Sequence, residues 1–280
     1  VLELLVLRRV VADAGLIHSP GDIPMSKLFS LDGRVALVTG GSRGIGKMIA
    51  EGFVKSGAKV YVSSRKAPAC DETAAELSKF GTCIALPQDV STVAGCDELA
   101  AKFNRLEPKL DILVNNAGAA WGAPFDEFPE NGWDKVMDLN VKTPFFLTQK
   151  LHEALKRGAA KGHLAKVINI ASIDGVSVNP QETYSYAASK AGLIHLTKRM
   201  ALRLIADNIG VTAIAPGAFA SDMNRVARDH ADMVSQAIPA KRIGTPEDMA
   251  GAAIFLASRA GDYVVGSTII VDGGVTYARS

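Results

Sequence analysis

The sequence predicts an α/β protein built as one domain: a doubly wound, Rossmann-type sheet of about seven parallel strands with helices on both faces. Short β-branched runs alternate with longer segments of helical period from Arg34 onward. A glycine-rich turn falls directly between the first strand candidate and the first helix candidate. Neither an internal repeat nor a low-complexity linker divides the chain.

The strand candidates are Val35–Thr39, Lys59–Ser64, Ile84–Asp89, Asp111–Asn115, Lys166–Ala171, Val211–Ala215 and Thr268–Val271. They are short, nearly continuous apolar runs, as expected of strands covered on both faces. Helical period is expected near 45–56, 70–80, 92–106, 131–160, 185–206 and 246–258. Right-handed crossovers through these helices wind the sheet in both directions. The stretch 218–244 breaks the alternation and is long enough to be a lid over a substrate.

Residues 1–27 do not fit this pattern. Val1 to Val11 is apolar around an Arg8-Arg9 pair, a Ser19-Pro20-Gly21-Asp22 turn follows, and Met25 opens a stretch with the look of a natural start. Glu3, Asp13 and Asp22 argue against an organelle transit peptide, and a basic pair placed after the apolar stretch argues against a secretory signal. The expectation is an extension over 1–27, poorly ordered or a non-native start, and a domain over 28–280, with organelle targeting left open.

The 280 residues are 48% hydrophobic, enough to bury a core, which excludes a disordered chain. Lys plus Arg is 31 against 29 for Asp plus Glu, so the net charge of +2 gives no electrostatic basis for binding nucleic acid or an anionic membrane. No apolar run approaches the roughly 18 residues that span a bilayer. Cys70, Cys83 and Cys96 are odd in number and lack a short paired spacing, against a disulfide framework or a zinc site. They read as reduced thiols of a cytoplasmic protein. His18, His152, His163, His195 and His230 have no metal-ligand spacing and read as surface or helix histidines, so no metal is expected.

Chemistry enters at Thr39-Gly40-Gly41-Ser42-Arg43-Gly44-Ile45-Gly46. Glycines between a strand and a helix permit a tight turn and let backbone N–H groups approach a pyrophosphate. The helix N-terminus adds partial positive charge for the anion.

The spacing Gly40-x-x-x-Gly44-x-Gly46 is similar to that of the short-chain dehydrogenase/reductase family, and the resemblance continues down the chain. Asn115-Asn116-Ala117-Gly118 closes the fourth strand candidate, Asn140 follows the next helical segment, and Ser172 ends the fifth strand. Tyr186-Ala-Ala-Ser-Lys190 opens a long helix, Pro216-Gly217 ends the sixth strand and Val271-Asp272-Gly273-Gly274 the seventh. The match spans about 28 to 276 in the family's order. It implies a cofactor site formed by Gly40, Ser42, Arg43, Gly44, Ile45, Gly46, Ser64, Arg65, Asp89, Val90, Asn116, Ala117, Gly118, Tyr186, Lys190, Pro216, Gly217, Phe219 and Ser221. Asp89 would contact the adenine, Asn115 and Ala117 would lie along a ribose, and the Ser221 hydroxyl would bind the carboxamide.

NADP(H) is expected rather than NAD(H). An NAD site places an acid on the ribose 2′-hydroxyl about 20 residues after the glycines. Ser64 occupies that position here, with Arg65 next to it and Arg43 inside the turn. Two guanidiniums grip a 2′-phosphate that a carboxylate would repel.

The resemblance also implies the catalytic set. Tyr186 and Lys190 are four apart and share a helix face. A tyrosine titrates near 10, and a nearby ammonium lowers that value, so Lys190 is expected to acidify Tyr186. Ser172 would hydrogen-bond the substrate oxygen, and Asn140 would interrupt its helix and anchor a proton-relaying water. Tyr184 has Ala188 four residues on and lacks an activating charge. Ser172 and Tyr186 are 14 apart where 13 is commoner, which keeps Ser177 and Ser185 as weaker candidates. Trp121, Ile173 and Phe219 are the substrate-contact candidates, with plain packing the alternative for each. Trp133 reads as core or interface packing.

The reaction implied is NADPH-dependent reduction of a ketone to a secondary alcohol. Within the family the chain resembles the 3-oxoacyl reductases of the acyl-carrier-protein type, including the rhamnolipid-associated subgroup. Asp207, at the end of the Tyr/Lys helix, speaks against docking of an acidic carrier protein. A dehydrogenase or carbonyl reductase for a sugar, steroid, quinone or other ketone, and an inactive NADP-binding scaffold, stay open. A homotetramer packed through the 131–160 and 185–206 helices is expected from the resemblance.

Overall fold

The computed structural model describes residues 24–159 and 163–278. Its sheet has seven strands, all parallel, in the order β3-β2-β1-β4-β5-β6-β7. They are β1 (Val35–Thr39), β2 (Lys59–Ser63), β3 (Cys83–Ala85), β4 (Ile112–Asn115), β5 (Ala165–Ile170), β6 (Ile209–Pro216) and β7 (Thr268–Val271). The helices are α1 (Gly44–Lys55), α2 (Ala67–Leu77), α3 (Val93–Leu106), α4 (Glu130–Met137), α5 (Thr143–Lys150), α6 (His152–Ala159), α7 (Tyr184–Leu204), α8 (Arg225–Asp229), α9 (Ala231–Gln236) and α10 (Pro246–Ala257). The strand order runs outward from β1 to β3 and then reverses through β4. That reversal is where a doubly wound sheet opens a crevice at the carboxyl ends of its strands.

Both faces of the sheet are covered. Ile49 and Phe53 of α1 with Met249, Ala253 and Leu256 of α10 pack on Ala36, Val38, Val60, Val62, Ile168 and Ile214. On the other face Leu99 and Phe103 of α3, Leu147 of α5, Leu155 of α6 and Met200 of α7 meet Leu37, Tyr61, Leu113, Val167 and Val211. Alternate strand residues feed opposite faces, as the two-residue period requires. A chain of buried amides crosses this second layer. Asn115 Nδ2 donates to Asn169 Oδ1 at 2.9 Å, and Asn169 Nδ2 to Thr197 Oγ1 at 2.9 Å, tying β4 and β5 to α7.

Two elements differ most from the sequence reading. β3 ends at Ala85 rather than Asp89: it is an edge strand, and beyond it Leu86 N and Gln88 N still donate to Val62 O and Ser64 O at 2.9 and 3.0 Å, while Pro87 between them has no N–H to give. The segment expected to be helical over 131–160 is three helices, with a π turn at Asp138–Lys142 between α4 and α5. Pro144 in the first turn of α5 fits a helix start and not an interior. The stretch 218–244 contains α8 and α9 and is pinched at its base, where Gly244 N donates to Ala218 O at 2.9 Å. Most of the expected extension lies outside the described residues. Its last part forms a 3-10 turn at Met25–Lys27, and Leu31 just beyond is fully buried.

Phe53 has no exposed surface and joins α1 to the sheet. Phe53→Ala should therefore cost about 3–5 kcal/mol, the range for truncating a buried aromatic, measured by denaturant unfolding.

Candidate active site

The carboxyl ends of β1, β4, β5 and β6 open into one cleft of about 650 Å³. At its floor β1 runs into the glycine turn. Gly40 and Gly44 have φ of +63° and +52°, a conformation L side chains rarely adopt. A Cβ on Gly46 would fall 2.3 Å from Gly40 O and 2.4 Å from Asn116 Nδ2, so only glycine fits there. Asn116 Nδ2 donates to Thr39 O at 2.9 Å and Gly40 O at 3.1 Å, while Thr39 Oγ1 accepts the N–H groups of Asn116 and Ala117 at 3.0 and 3.1 Å. The turn is thereby locked to the end of β4. Arg43 is the N-cap of α1 and offers no side-chain cap, which leaves the first N–H groups of that helix to serve an anion.

Ser64 and Arg65 border the cleft beyond β2. Ser42 Oγ donates to Ser64 Oγ at 3.0 Å, and Cys70 Sγ lies 3.0 Å from the same hydroxyl. Arg65 is exposed, and Arg43 pairs with Asp222 of the 218–244 segment, which also holds Arg228 at 2.6 Å. Asp89 and Val90 line the cleft where the chain leaves β3. Val90 O accepts Thr143 Oγ1 at 2.6 Å. The positive groups and hydroxyls at this end, with no acid at position 64, fit a dinucleotide carrying a 2′-phosphate.

The other wall is made by β5 and α7. Lys190 is buried, and its Nζ donates to Ile170 O at 2.7 Å. Asn140, 1% exposed, sits in the π turn: its Oδ1 accepts Ala119 N at 2.8 Å, and its Nδ2 donates to Ala119 O and Ser189 Oγ, both at 2.9 Å. Ser189 Oγ in turn donates to Tyr186 O at 2.7 Å. Ser172 lies two residues beyond the end of β5, accepts Asp174 N at 3.1 Å and is a hydrogen-bonding neighbour of the Tyr186 phenol. Ser172, Tyr186 and Lys190 thus face one space, which Gly118, Ile173, Pro216, Gly217, Phe219 and Ser221 also line.

Residues 40–276 match the family model described as enoyl-(acyl carrier protein) reductase. The rhamnolipids biosynthesis 3-oxoacyl-[acyl-carrier-protein] reductase of Pseudomonas aeruginosa is 48% identical over 255 residues, 89% of this chain and 99% of that protein. The chain belongs to the short-chain dehydrogenase/reductase family. A 2-dehydro-3-deoxy-D-gluconate 5-dehydrogenase of Dickeya dadantii is 38% identical over 254 residues, 88% of this chain and 96% of that one. Among solved structures, the Pseudomonas aeruginosa RhlG/NADP active-site complex superposes with a TM-score of 0.87 at 46% identity, covering 90% of this chain and all of that one.

Several expectations for this short-chain dehydrogenase/reductase need correction. Trp121 does not line the cleft: its indole lies where a Cβ on Gly132 would come within 2.7 Å, and Lys135 Nζ sits 5.3 Å over its ring, so it packs on α4. Asn115 does not lie along a ribose, because its amide is spent inside the sheet on Asn169 and Thr148. Ser185 is fully buried and Ser177 Oγ bonds Ile173 O at 3.3 Å; neither borders the cleft. Tyr184, set aside for want of a lysine four residues on, bonds Glu182 at 3.0 Å, packs edge-on against Phe125 and Phe128 and does not line the cleft, in agreement with that reading. Phe219, 2% exposed, both lines the cleft and plugs the space over Gly244.

The acidification of Tyr186 by Lys190 is also corrected. Burial pushes the phenol up to about 12, and the Ser172 hydrogen bond pulls against that without overcoming it. Lys190 Nζ lies 5.5 Å from the centroid of the phenol ring and is bonded to Ile170 O, and burial pushes the amine itself down to about 8. Sequence reasoning missed Asp174, Asn179, Gln181, Asp222, Asn224 and Arg225, all on the cleft. Their signal was weak because loop residues carry no periodicity.

At neutral pH Lys190 is mostly an ammonium, and it loses that charge as the pH rises through about 8. If the ammonium is required, kcat/KM for reduction should be flat below that pH and fall above it. A profile still flat near the ordinary lysine value of about 10.4 would show that its charge is dispensable.

Proposed function

We propose that this enzyme reduces a 3-oxoacyl thioester to the secondary alcohol with NADPH. The observation that supports it most is a single cleft joining two guanidiniums, with a serine and not an acid at position 64, at the expected 2′-phosphate end to Ser172, Tyr186 and Lys190 at the other. NADPH, when bound, supplies the hydride. The N–H groups that open α1 and the Ser42 and Ser64 hydroxyls would hold its phosphates, with Arg43 and Arg65 gripping the 2′-phosphate.

The chain's own residues manage the oxygen. Ser172 Oγ orients the carbonyl by hydrogen bonding. Tyr186, protonated well above neutral pH, gives its proton to the oxygen of the new alcohol, a far weaker acid than a phenol. Burial keeps this donor loaded, as reduction requires. Lys190 places a positive charge against the site, and Asn140 holds the Ala119 loop and, through Ser189, the first turn of α7, so that Tyr186 and Lys190 keep their places.

The objection raised by Asp207 to a carrier-borne substrate weakens in the structure. Its carboxylate is held by Arg203 at 2.7 Å and His152 at 3.0 Å, so that helix end does not present a bare acid. Homotetramer formation is part of the proposal, supported by Trp133, Phe145 and Leu202 exposed on α4, α5 and α7. A polyol ketone is the second reading, favoured by the polar lining at Asn179, Gln181 and Asn224.

Tyr186→Phe should abolish turnover while leaving NADPH binding intact, measured by ketone-dependent NADPH oxidation and by cofactor titration; near-normal turnover would refute the proton-donor role. Arg43→Ala combined with Arg65→Ala should raise the KM for NADPH by roughly two orders of magnitude, about 3 kcal/mol, and change that for NADH little. Equal changes for the two cofactors would refute the phosphate clamp.

A further inference from the structure

The turn that follows Ser172 carries a carboxylate that the reduction described above does not use. Ile173–Gly175 is a single 3-10 turn capped by the Ser172 hydroxyl, which accepts Asp174 N at 3.1 Å. The turn lies flat on α7: a Cβ on Gly175 would fall 2.6 Å from the carbonyl carbon of Lys190. Asp174 is therefore held on the cleft wall next to the reacting groups, and it lines the cleft with them. Its charge reaches both neighbours, favouring the protonated forms of Tyr186 and Lys190.

Among the described residues the Asp174 carboxylate has neither an ion pair nor a hydrogen-bond donor. It is half-buried, where an unpaired carboxylate carries a desolvation cost that a donor would offset. Lys190 is spent on Ile170 O, and Arg43 on Asp222. A donor on a molecule entering the cleft would offset that cost.

We propose that Asp174 is a specificity-determining residue that accepts a hydrogen bond from an N–H or O–H of the substrate and turns away ketones bearing a carboxylate beside the reacting carbonyl. This rests on the reductase reading above. The donor would be an amide N–H of a thioester's arm or a hydroxyl of a neutral polyol, and the shared chemistry is an uncharged donor. A substrate carboxylate in the same place would meet Asp174 charge against charge in a partly desolvated cleft.

The test compares kcat/KM for the N-acetylcysteamine thioester of acetoacetate, its S-butyl thioester, a neutral ketopolyol, and free acetoacetate. The first two share the reacting group, and only the first has an amide N–H. The native enzyme should prefer the N-acetylcysteamine thioester over the S-butyl one by roughly tenfold, the scale of a hydrogen bond to a charged group, and should use acetoacetate least. Asp174→Asn keeps size and an acceptor while removing the charge, and should raise acetoacetate relative to the S-butyl thioester by roughly tenfold. Asp174→Ala should erase the preference between the thioesters. NADPH titration confirms that each variant is folded, and Asp174→Asn carries the test if the alanine variant is not.

Unchanged ratios in Asp174→Asn with thioester activity intact would overturn the proposal and leave the reductase reading standing. If the native enzyme ignores both thioesters and reduces the ketopolyol, the acyl reading falls, and a loss of ketopolyol selectivity over acetoacetate in Asp174→Asn still supports Asp174. Turnover of free acetoacetate as the sole substrate among the four would overturn both.

Discussion

A buried ammonium bonded to the Ile170 carbonyl organises this active site. A charge removed from water needs partners in fixed places, and Lys190 finds one at the last residue of β5. That bond ties the first turns of α7, which carry Tyr186, to the end of β5. Asn140 secures the arrangement from the opposite side through two bonds to Ala119 and one to Ser189. The amide chain from Asn115 through Asn169 to Thr197 repeats the logic one layer deeper. The bonds from Lys190 to Ile170, Asn140 to Ser189 and Asn169 to Thr197 join a strand or turn to α7, so the cleft is assembled by buried polar groups that have few alternative partners.

The same burial decides the chemistry. It raises Tyr186 and lowers Lys190, so the phenol keeps its proton while the amine holds its charge only up to about pH 8. The proposed reduction needs a loaded proton donor, and desolvation would supply one without an acidified tyrosine. At the other end of the cleft the decisive charges are local. The net charge of +2 conceals them, because Arg43, Arg65, Asp222 and Asp174 act at particular edges of one cavity.

Most of the architecture was legible in the sequence because buried parallel strands write themselves as short apolar runs between turns. The seven strands follow from that pattern, and the edge strand β3 was the most overdrawn, ending at Ala85 rather than Asp89. The break of the 131–160 segment was half legible. Asn140 announces an interruption, but a π turn followed by two short helices keeps the same apolar face and hides from a periodicity reading. In the site, positions set by spacing along one element, such as Tyr186 with Lys190, could be placed directly. Positions set by tertiary packing could not: Trp121 turns onto Gly132, Asn115 into the sheet, and Asp207 toward Arg203 and His152. Asp174 went unread because what distinguishes it is the absence of a partner among the described residues, and no sequence pattern shows that.

The central claim is that the cleft couples an NADPH-selective end to a proton donor serving a 3-oxoacyl carbonyl. Initial rates of cofactor oxidation across acetoacetyl and longer 3-oxoacyl thioesters, quinones, sugar ketones and steroid ketones, each run with NADPH and with NADH, test it most directly. The account predicts that the thioesters are turned over with the highest kcat/KM and that NADPH is strongly preferred. Equal use of NADH, or turnover confined to sugar or steroid ketones, would contradict it.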